Sequence, residues 1–308
     1  MTIKTVNLIG LGALGMLFGH KIQNKIGNNI SFVMDKDRYN RHSKDIYTIN
    51  KQPIQFNLVS AENARPCDLL LIAVKYRSLE KALETAKTSI GPDTIVLSLM
   101  NGVTSEKIIA EHFPQAGVIY TVSQGMAAIH FGTTLDYREG GELHIGITKE
   151  DEKCPRLVSA LNDVKTFFDS IQFPYVIEAD IMHRLWGKFM MNVGLNQTCM
   201  VFGGNDGSIR EPASEQFMVW VSAMREVLLI AAAEGVHLTE EDIRKNIAII
   251  ATHAPSDMPS MAQDRISKKY SEVEMFAGYI IKAGKKYGIL TPTNDFLYKR
   301  VHEIEKEY

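Results

Sequence analysis

The hydrophobic pattern divides the chain into two parts that predict different folds. In the first part, short apolar segments rich in Val, Ile and Leu alternate with amphipathic ones, which indicates strands alternating with helices. The predicted strands are 5–10, 30–34, 68–74, 94–99, 118–121, 142–147 and 174–177, and the predicted helices are 16–26, 79–89, 104–112 and 157–170. Because the strands are nearly continuous in apolar residues, they predict a parallel sheet covered on both faces.

From residue 180 onward the pattern is helical. Apolar positions recur at helical spacing over 180–202, 211–235, 239–253, 260–287 and 293–307. Gly235 and Gly288 lie where helices would end, and Thr239 precedes three acidic residues, as an N-cap does. The chain is therefore predicted to be an α/β protein, with a doubly wound parallel sheet in residues 1–179 and an all-helical domain in residues 180–308.

A glycine-rich turn follows the first predicted strand. Gly10-Leu11-Gly12-Ala13-Leu14-Gly15 lies between that strand and a helix, and Asp35 ends the next strand. This is the pattern of a Rossmann-like dinucleotide site, in which glycines let the backbone approach a pyrophosphate, a helix N-terminus supplies N–H groups and the acidic residue contacts a ribose. Lys75 and Asn101 follow two later strands, so both are predicted to line the same cofactor.

A polar stripe interrupts the apolar segment at the start of the helical part. Lys188, Asn192 and Asn196 follow one another at four-residue spacing among Trp, Phe and Met, which places them on one helix face. Burying an ammonium and two amides costs several kcal/mol unless polar groups meet them, so the stripe predicts a polar ligand. Ser260 and Glu272 are further candidates, although in isolation each is better explained by a structural role, Ser260 as a helix N-cap and Glu272 on a solvated helix face.

Composition and charge narrow the range of functions. A chain of 308 residues with a net charge of −2 and no basic block is not expected to bind nucleic acid. The three cysteines are far apart and the histidines show no metal-binding spacing, so reduced thiols and no metal are expected. Glycines interrupt the first apolar run, and no segment reaches the roughly 20 apolar residues of a membrane span. A cytoplasmic protein without a membrane partner is therefore expected.

Taken together, these segments resemble the ketopantoate reductase (2-dehydropantoate 2-reductase) family over essentially the whole chain. The matching segments are the glycine turn, Val74-Lys75, Met100-Asn101-Gly102, Trp186-Gly187-Lys188 with Asn192 and Asn196, Ser260-Met261-Ala262-Gln263-Asp264, and Glu272 before Phe276-Ala277-Gly278. The resemblance implies NAD(P)H-dependent reduction of ketopantoate to pantoate, a step in pantothenate and coenzyme A synthesis.

The resemblance also implies a role for each matching residue. Lys188 corresponds to the general acid, Asn192 and Asn196 hold the substrate, and Ser260 binds its carboxylate. The resemblance further implies that Lys75, Asn101 and Glu272 contact the cofactor or bridge it to the substrate. Glu272 is therefore counted with the catalytic residues. A small residue at Ala128 is expected beside the nicotinamide.

Two acidic residues depart from the family pattern. Asp35 stands at or near the place where many members have an arginine, and a carboxylate there prefers a ribose diol to a 2′-phosphate. Lys36, Arg38 and Arg41 follow closely and offer a phosphate clamp, so NADP(H) is the family default and NAD(H) is the alternative that Asp35 favours. Asp206 stands where some members have a substrate-side asparagine, and it is assigned to substrate binding.

Two other functions stay open. Asp35 and Asp206 are compatible with an NAD-dependent D-2-hydroxy acid dehydrogenase that acts on another 2-oxo acid. A non-catalytic dinucleotide-binding redox sensor belongs to a different class, and it would not need Lys188 with its two asparagines. A small-molecule 2-oxo acid is the expected partner, and the long apolar helices leave room for a homodimer.

Overall fold

The computed structural model describes residues 2–308. The chain divides into two compact units, of which the first ends at Ile181 and the second covers Met182–Tyr308. The predicted boundary between residues 179 and 180 lies two residues before this division. The first unit contains strands and helices, and the second is helical.

Within the described residues, ten strands form the sheet of the first unit. They are β1 (Val6–Ile9), β2 (Ile30–Met34), β3 (Tyr47–Ile49), β4 (Gln52–Ile54), β5 (Leu58–Ser60), β6 (Leu69–Ile72), β7 (Ile95–Ser98), β8 (Gly117–Phe131), β9 (Thr134–Gly146) and β10 (Tyr175–Ile177). Their order is β4-β3-β9-β8-β7-β6-β1-β2-β5, and β10 pairs with β9. The helices of this unit are α1 (Ala13–Ile26), α2 (Lys36–His42), α3 (Leu79–Ala86), α4 (Ser105–His112) and α5 (Pro155–Ser170).

The central strands are buried on both faces. Every residue of β1, β6 and β7 is buried, and these strands pair in parallel. Leu69 and Leu71 belong to one hydrophobic cluster, while Leu70 and Ile72 belong to another. Since alternate side chains point to opposite faces of a strand, each face has its own core. The predicted doubly wound arrangement is confirmed for this part of the sheet.

The sheet is mixed, and this differs from the wholly parallel sheet that the sequence predicts. β8 and β9 form a long antiparallel hairpin, and β3 pairs antiparallel with β4. In the hairpin region the hydrophobic pattern predicts strands only over 118–121 and 142–147. Gly125, Gly140 and Gly141 interrupt its outer part, where most side chains are half-buried or exposed. Such segments lack the apolar alternation by which strands are recognised.

The second unit contains six α-helices and one π-helix within the described residues. They are α6 (Ile181–Phe202), α7 (Glu215–Ala233), α8 (Glu240–Thr252), α9 (Ser260–Ile266), the π-helix Glu274–Gly278, α10 (Tyr279–Tyr287) and α11 (Pro292–Glu305). The single helix predicted over 260–287 is wrong, because α9 ends at Ile266 and helical structure resumes only at Glu274. Lys268, at φ +49°, adopts the left-handed conformation that ends helices.

Among the described residues, α7 is the only helix long and apolar enough to cross a membrane. It packs against α10 and α11 in the second unit. Its residues Trp220, Met224 and Ile230 are buried there. The core helix of a globular domain has the same length and composition.

Candidate functional site

The carboxyl ends of three adjacent strands form one edge of the first unit. Ile72 pairs with Ile9 of β1 and with Ser98 of β7, so the segments after these strands begin side by side. Lys75 is exposed and Asn101 is half-buried within two of those segments. The strand order changes direction between β1 and β6, and ligands of open α/β sheets bind at such a switch point.

The glycine turn lies at this edge, and its geometry fits a phosphate. Gly10 has φ +105°, and a Cβ there would lie 2.3 Å from the carbonyl oxygen of Ala73. A Cβ on Gly15 would lie 1.8 Å from the Gly10 carbonyl oxygen, so both positions require glycine. A Cβ on Gly12 would meet no protein atom within 4 Å, and Gly12 is the N-cap of α1, with no side-chain hydrogen bond to the helix. Open space therefore adjoins the N–H groups at the start of α1, as a dinucleotide pyrophosphate requires.

Gly12→Ala tests this assignment. The added methyl group meets no protein atom, so Tm should change by no more than about 2 °C. The dinucleotide dissociation constant should rise about tenfold, because the methyl group takes the space through which a pyrophosphate approaches the backbone. Thermal unfolding and a titration of NADH fluorescence measure the two effects. Wild-type affinity in the folded variant would remove the turn from the cofactor site.

Asp35 lies at the end of β2, where it caps α2. Its carboxylate accepts a hydrogen bond from the Arg38 backbone N–H at 3.1 Å and lies 3.3 Å from the Lys81 ammonium. Partial burial acts to raise the pKa of Asp35, but the Arg38 N–H and Lys81 outweigh it and hold this pKa below its usual value. A fixed negative charge therefore stands where a dinucleotide ribose is expected.

Two basic side chains after Asp35 already have partners. The Lys36 ammonium lies 3.1 Å from the Glu62 carboxylate, and Arg41 donates a hydrogen bond to the Asp37 carbonyl at 3.3 Å. Both contacts are exposed and hence weak. Even so, these contacts direct the Lys36 and Arg41 side chains to protein groups, so the two side chains do not form a phosphate clamp in advance.

A buried carboxyl group supports the segment that carries Asn101. The Ser98 hydroxyl donates to Ser105 Oγ at 2.8 Å, and Ser105 donates to Glu106 at 2.8 Å. Glu106 is almost fully buried, and this burial raises its pKa to about 7. The sequence analysis missed Glu106, because an acidic residue in the first turn of a helix is ordinary and carries no signal of burial.

The polar stripe of the second unit lies on a single helix, as predicted. Lys188, Asn192 and Asn196 all belong to α6; both asparagines are buried and Lys188 is half-buried. The Asn196 amide donates a hydrogen bond to Asn192 Oδ1 at 3.2 Å. The asparagines thus orient each other on one face of α6.

Ser260 is connected to this stripe. It is the first residue of α9, whose N-cap is Pro259, so the interpretation of Ser260 as an N-cap is wrong. Its hydroxyl donates a hydrogen bond to Asn196 Oδ1 at 2.9 Å, and the Met261 N–H donates to the same oxygen at 3.1 Å. Ser260 is exposed. This hydrogen bond to Asn196 places Ser260 beside the polar stripe, although Ser260 is far from the stripe in the sequence.

Lys188 is a more acidic group than an ordinary lysine. Burial lowers its pKa from 10.5 to about 8, with a smaller lowering by Arg184, while the negative charge of Glu272 acts in the opposite direction. A lysine with such a pKa can donate a proton near neutral pH. The negative charge of Glu272, which is half-buried just before the π-helix, thus favours the protonated form of Lys188.

Asp206 contacts His253, and Ala128 lies in strand β8 of the first unit. Asp206 is 2% exposed, and its carboxylate lies 2.7 Å from His253 Nδ1. Burial raises the pKa of Asp206, against the opposing effect of His253. Ala128 lies at a β-bulge in β8, opposite Tyr137, and packs on the core of the first unit.

Within residues 2–308, no group of three or more His, Cys, Asp or Glu side chains is placed to hold a metal ion.

Relatives that match over nearly the whole chain carry the name of one reductase family. A 2-dehydropantoate 2-reductase of Streptococcus pyogenes serotype M6 is 26% identical over 311 residues, covering 97% of this chain and 97% of the relative. The 2-dehydropantoate 2-reductase of Vibrio cholerae is 22% identical over 305 residues, covering 98% of each chain. Such similarity over whole chains extends through both units.

Solved structures share the fold. A ketopantoate reductase from Staphylococcus aureus, described as dimeric, superposes with a TM-score of 0.80 at 21% identity, covering 98% of this chain and 99% of its own. A D-mandelate dehydrogenase bound to NADH and anilino(oxo)acetate superposes with a TM-score of 0.84 at 23% identity, with the same coverage. At these identities the structures establish the fold alone.

Family models cover most of the chain. Residues 6–150 match the model for ketopantoate reductase PanE/ApbA, and residues 180–305 match the model for the ketopantoate reductase PanE/ApbA C terminal. The first match contains the glycine turn, Lys75 and Asn101, and the second contains the Lys188 stripe, Ser260 and Glu272. The chain therefore belongs to the ketopantoate reductase family.

Proposed function

We propose that this protein reduces 2-dehydropantoate (ketopantoate) to pantoate, with a nicotinamide dinucleotide as the hydride source. The observation that carries the proposal is Lys188, a half-buried lysine with a pKa of about 8 on the same helix face as two buried asparagines. The names of the full-length relatives support the choice of substrate.

The residues of the second unit account for the chemistry on the substrate side. The chemistry that a dihydronicotinamide would supply, when bound, is a hydride for the ketone carbon of the substrate. As the carbon–oxygen double bond becomes a single bond, negative charge grows on the ketone oxygen, and the Lys188 ammonium stabilises this charge and donates the proton. Asn192 and Asn196 provide amide groups for the substrate hydroxyl and carboxylate. The exposed Ser260 hydroxyl can bind the carboxylate by turning its proton from Asn196 Oδ1 to the substrate. Glu272 keeps Lys188 protonated.

We further propose that NADH is the preferred cofactor. Asp35 supports this choice, because its ionised carboxylate can accept hydrogen bonds from a ribose diol but repels a 2′-phosphate. The partners of Lys36 and Arg41 support it as well. Lys75 and Asn101 follow strands adjacent to the glycine turn, so we assign them to cofactor binding, and Ala128 to the nicotinamide end.

A second candidate is a D-2-hydroxy acid dehydrogenase that reduces another 2-oxo acid. The observation that favours it is Asp206, whose buried carboxylate is held by His253. A carboxylate cannot donate the hydrogen bond that an asparagine amide offers at this position. A substrate that lacks the ketopantoate hydroxyl would not need such a donor.

Steady-state kinetics test the proposal and separate these candidates. Purified protein should oxidise NADH when ketopantoate is added, with a higher kcat/KM than for benzoylformate or an unbranched 2-oxo acid. A higher kcat/KM for benzoylformate would favour the second candidate. Absence of turnover with every 2-oxo acid and both NADH and NADPH, in protein shown to be folded, would reject both.

The same proposal includes a cellular context. We expect a cytoplasmic enzyme with a small-molecule 2-oxo acid as its partner. A homodimer is part of the proposal, since the Staphylococcus aureus ketopantoate reductase of the same fold is described as dimeric.

A further inference from the structure

The π-helix after Glu272 changes the hydrogen bonding of one buried peptide group. The Gly278 N–H donates to the Val273 carbonyl at 3.0 Å, five residues back along the chain. In an α-helix that carbonyl would accept from the Ala277 N–H instead. Ala277 is fully buried, and a buried N–H without an acceptor costs about 1–3 kcal/mol. The π-helix therefore depends on an acceptor from outside it.

Gln197 of α6 provides that acceptor. Its Oε1 accepts the hydrogen bond of the Ala277 N–H at 3.0 Å, and the Gln197 side chain is fully buried. Its Nε2 donates to the Val193 carbonyl at 2.6 Å and to Asn294 Oδ1 at 3.3 Å. Because both ends of the amide have partners, Gln197 has one orientation that satisfies all of them.

Two further buried residues fix this orientation. Asn294, in the first turn of α11, donates from Nδ2 to Glu226 at 2.7 Å. Glu226 of α7 also accepts the backbone N–H groups of Thr293 at 2.7 Å and Asn294 at 2.9 Å. With its amide nitrogen bound to Glu226, Asn294 presents its oxygen to Gln197. The hydrogen bonds run from α7 through α11 and α6 to the π-helix.

The segment that carries Glu272 is also held at its other end. The N–H and hydroxyl of Ser271 both donate to Glu305 at 2.6 Å, and Glu305 is buried in the last turn of α11. Glu272 lies between this anchor and Ala277. A change at either anchor would move its carboxylate.

We propose that Gln197 is a positioning residue: it maintains the π-helix and thereby holds the Glu272 carboxylate in place to act on Lys188. This inference rests on the proposed function only in treating Lys188 as the proton donor. Without the Gln197 acceptor, the segment can relax to α-helical hydrogen bonding. That relaxation removes one residue from the turn and rotates the preceding residues by about 100°.

The charged groups around Lys188 determine what the loss of Gln197 should do. Of the described residues, Glu272 raises the pKa of Lys188, while Arg184 lowers it. The neighbouring Glu274 is directed to α11, where it accepts from the Tyr298 hydroxyl at 2.8 Å and lies 3.1 Å from His302 Nε2. Displacing the Glu272 carboxylate should therefore lower the pKa of Lys188, because Arg184 remains.

The test compares Gln197→Met with Glu272→Gln. Methionine has a similar length but cannot accept the Ala277 hydrogen bond. The pH dependence of Lys188 acetylation, followed by mass spectrometry, reports the pKa of Lys188 without requiring turnover. Both variants should lower this pKa by about one pH unit, as expected for the loss of a nearby opposite charge. The double variant should match Glu272→Gln alone, because both changes remove the same interaction.

Thr198→Val is the matched control. Thr198 follows Gln197 on α6 and is equally buried, and its hydroxyl has no hydrogen-bond partner among the described residues. This variant should keep the wild-type pKa of Lys188. Gln197→Asn, which is too short to reach Ala277 but stays polar, serves if Gln197→Met does not fold.

The outcomes separate this inference from the proposed function. An unchanged Lys188 pKa in the folded Gln197 variant, while Glu272→Gln lowers it, would overturn the positioning role. If the labelling result holds but no 2-oxo acid is reduced, the positioning role stands and the proposed function fails. Where there is turnover, the decrease of kcat at high pH should begin about one pH unit lower in both variants.

Discussion

Replacing Lys188 with alanine should lower kcat for ketopantoate reduction by about 10²–10⁴-fold, the usual contribution of a positioned general acid. The variant loses both the charge that stabilises the growing negative charge on the ketone oxygen and the proton that the oxygen receives. Dinucleotide affinity should stay near the wild-type value, because Lys188 is proposed to act on the substrate. Stopped-flow measurement of NADH oxidation and a fluorescence titration of NADH binding give the two quantities.

The pH dependence and a charge-preserving variant show how Lys188 acts. Only the protonated lysine can donate, so wild-type kcat should fall as pH rises through the Lys188 pKa of about 8. Lys188→Arg keeps a positive charge, but an arginine does not release its proton in this pH range. Compared with Lys188→Ala, Lys188→Arg should therefore recover more of the substrate affinity than of kcat. Its kcat should no longer fall near pH 8. Near-normal kcat in Lys188→Ala would exclude the acid role.

Asp35→Asn should change the ratio of kcat/KM for NADPH to that for NADH by about 100-fold in favour of NADPH, consistent with removing one charge close to a phosphate. Asparagine is as good an N-cap as aspartate, so the hydrogen bond to the Arg38 N–H and the stability of α2 should be preserved. The same change also frees Lys81 from its ion pair, which adds a positive charge for the 2′-phosphate. Parallel steady-state assays with both cofactors measure the ratio.

Asp37→Asn provides the control for overall charge. Asp37 is exposed in the first turn of α2, two residues from Asp35, so its replacement makes the same change in net charge. It should leave the cofactor ratio within about twofold of wild type, because exposed charges are screened by solvent and salt. A wild-type enzyme that already prefers NADPH, with no response to Asp35→Asn, would contradict the assignment of Asp35 to the ribose.

Much of the candidate site follows from local sequence patterns. The spacing of Lys188, Asn192 and Asn196 predicts one helix face, because an α-helix brings every fourth residue back to nearly the same side. The glycine turn is equally local, since a strand, a turn and a helix follow one another within a short segment. These features are encoded by neighbouring residues, and the structure has them as predicted.

Other parts of the site depend on residues far apart in the sequence. Gln197 has no pattern that distinguishes it from other polar residues in a helix, and its function appears only when Ala277 and Asn294 are brought to it. The same holds for Ser260, which meets Asn196 across 64 positions of the chain. A side-chain partner at such separation leaves no periodicity to detect.

The sequence alone predicts a sheet with parallel central strands followed by a helical unit, and it singles out Lys188 as a group that needs a polar partner. Hydrophobic periodicity and glycine placement suffice for this, because they act over one or two turns of chain. The antiparallel hairpin of β8 and β9 and the end of α9 before the π-helix become visible only in the folded chain. Each of these features depends on burial and on long-range pairing. The residues nearest in sequence specify neither burial nor long-range pairing.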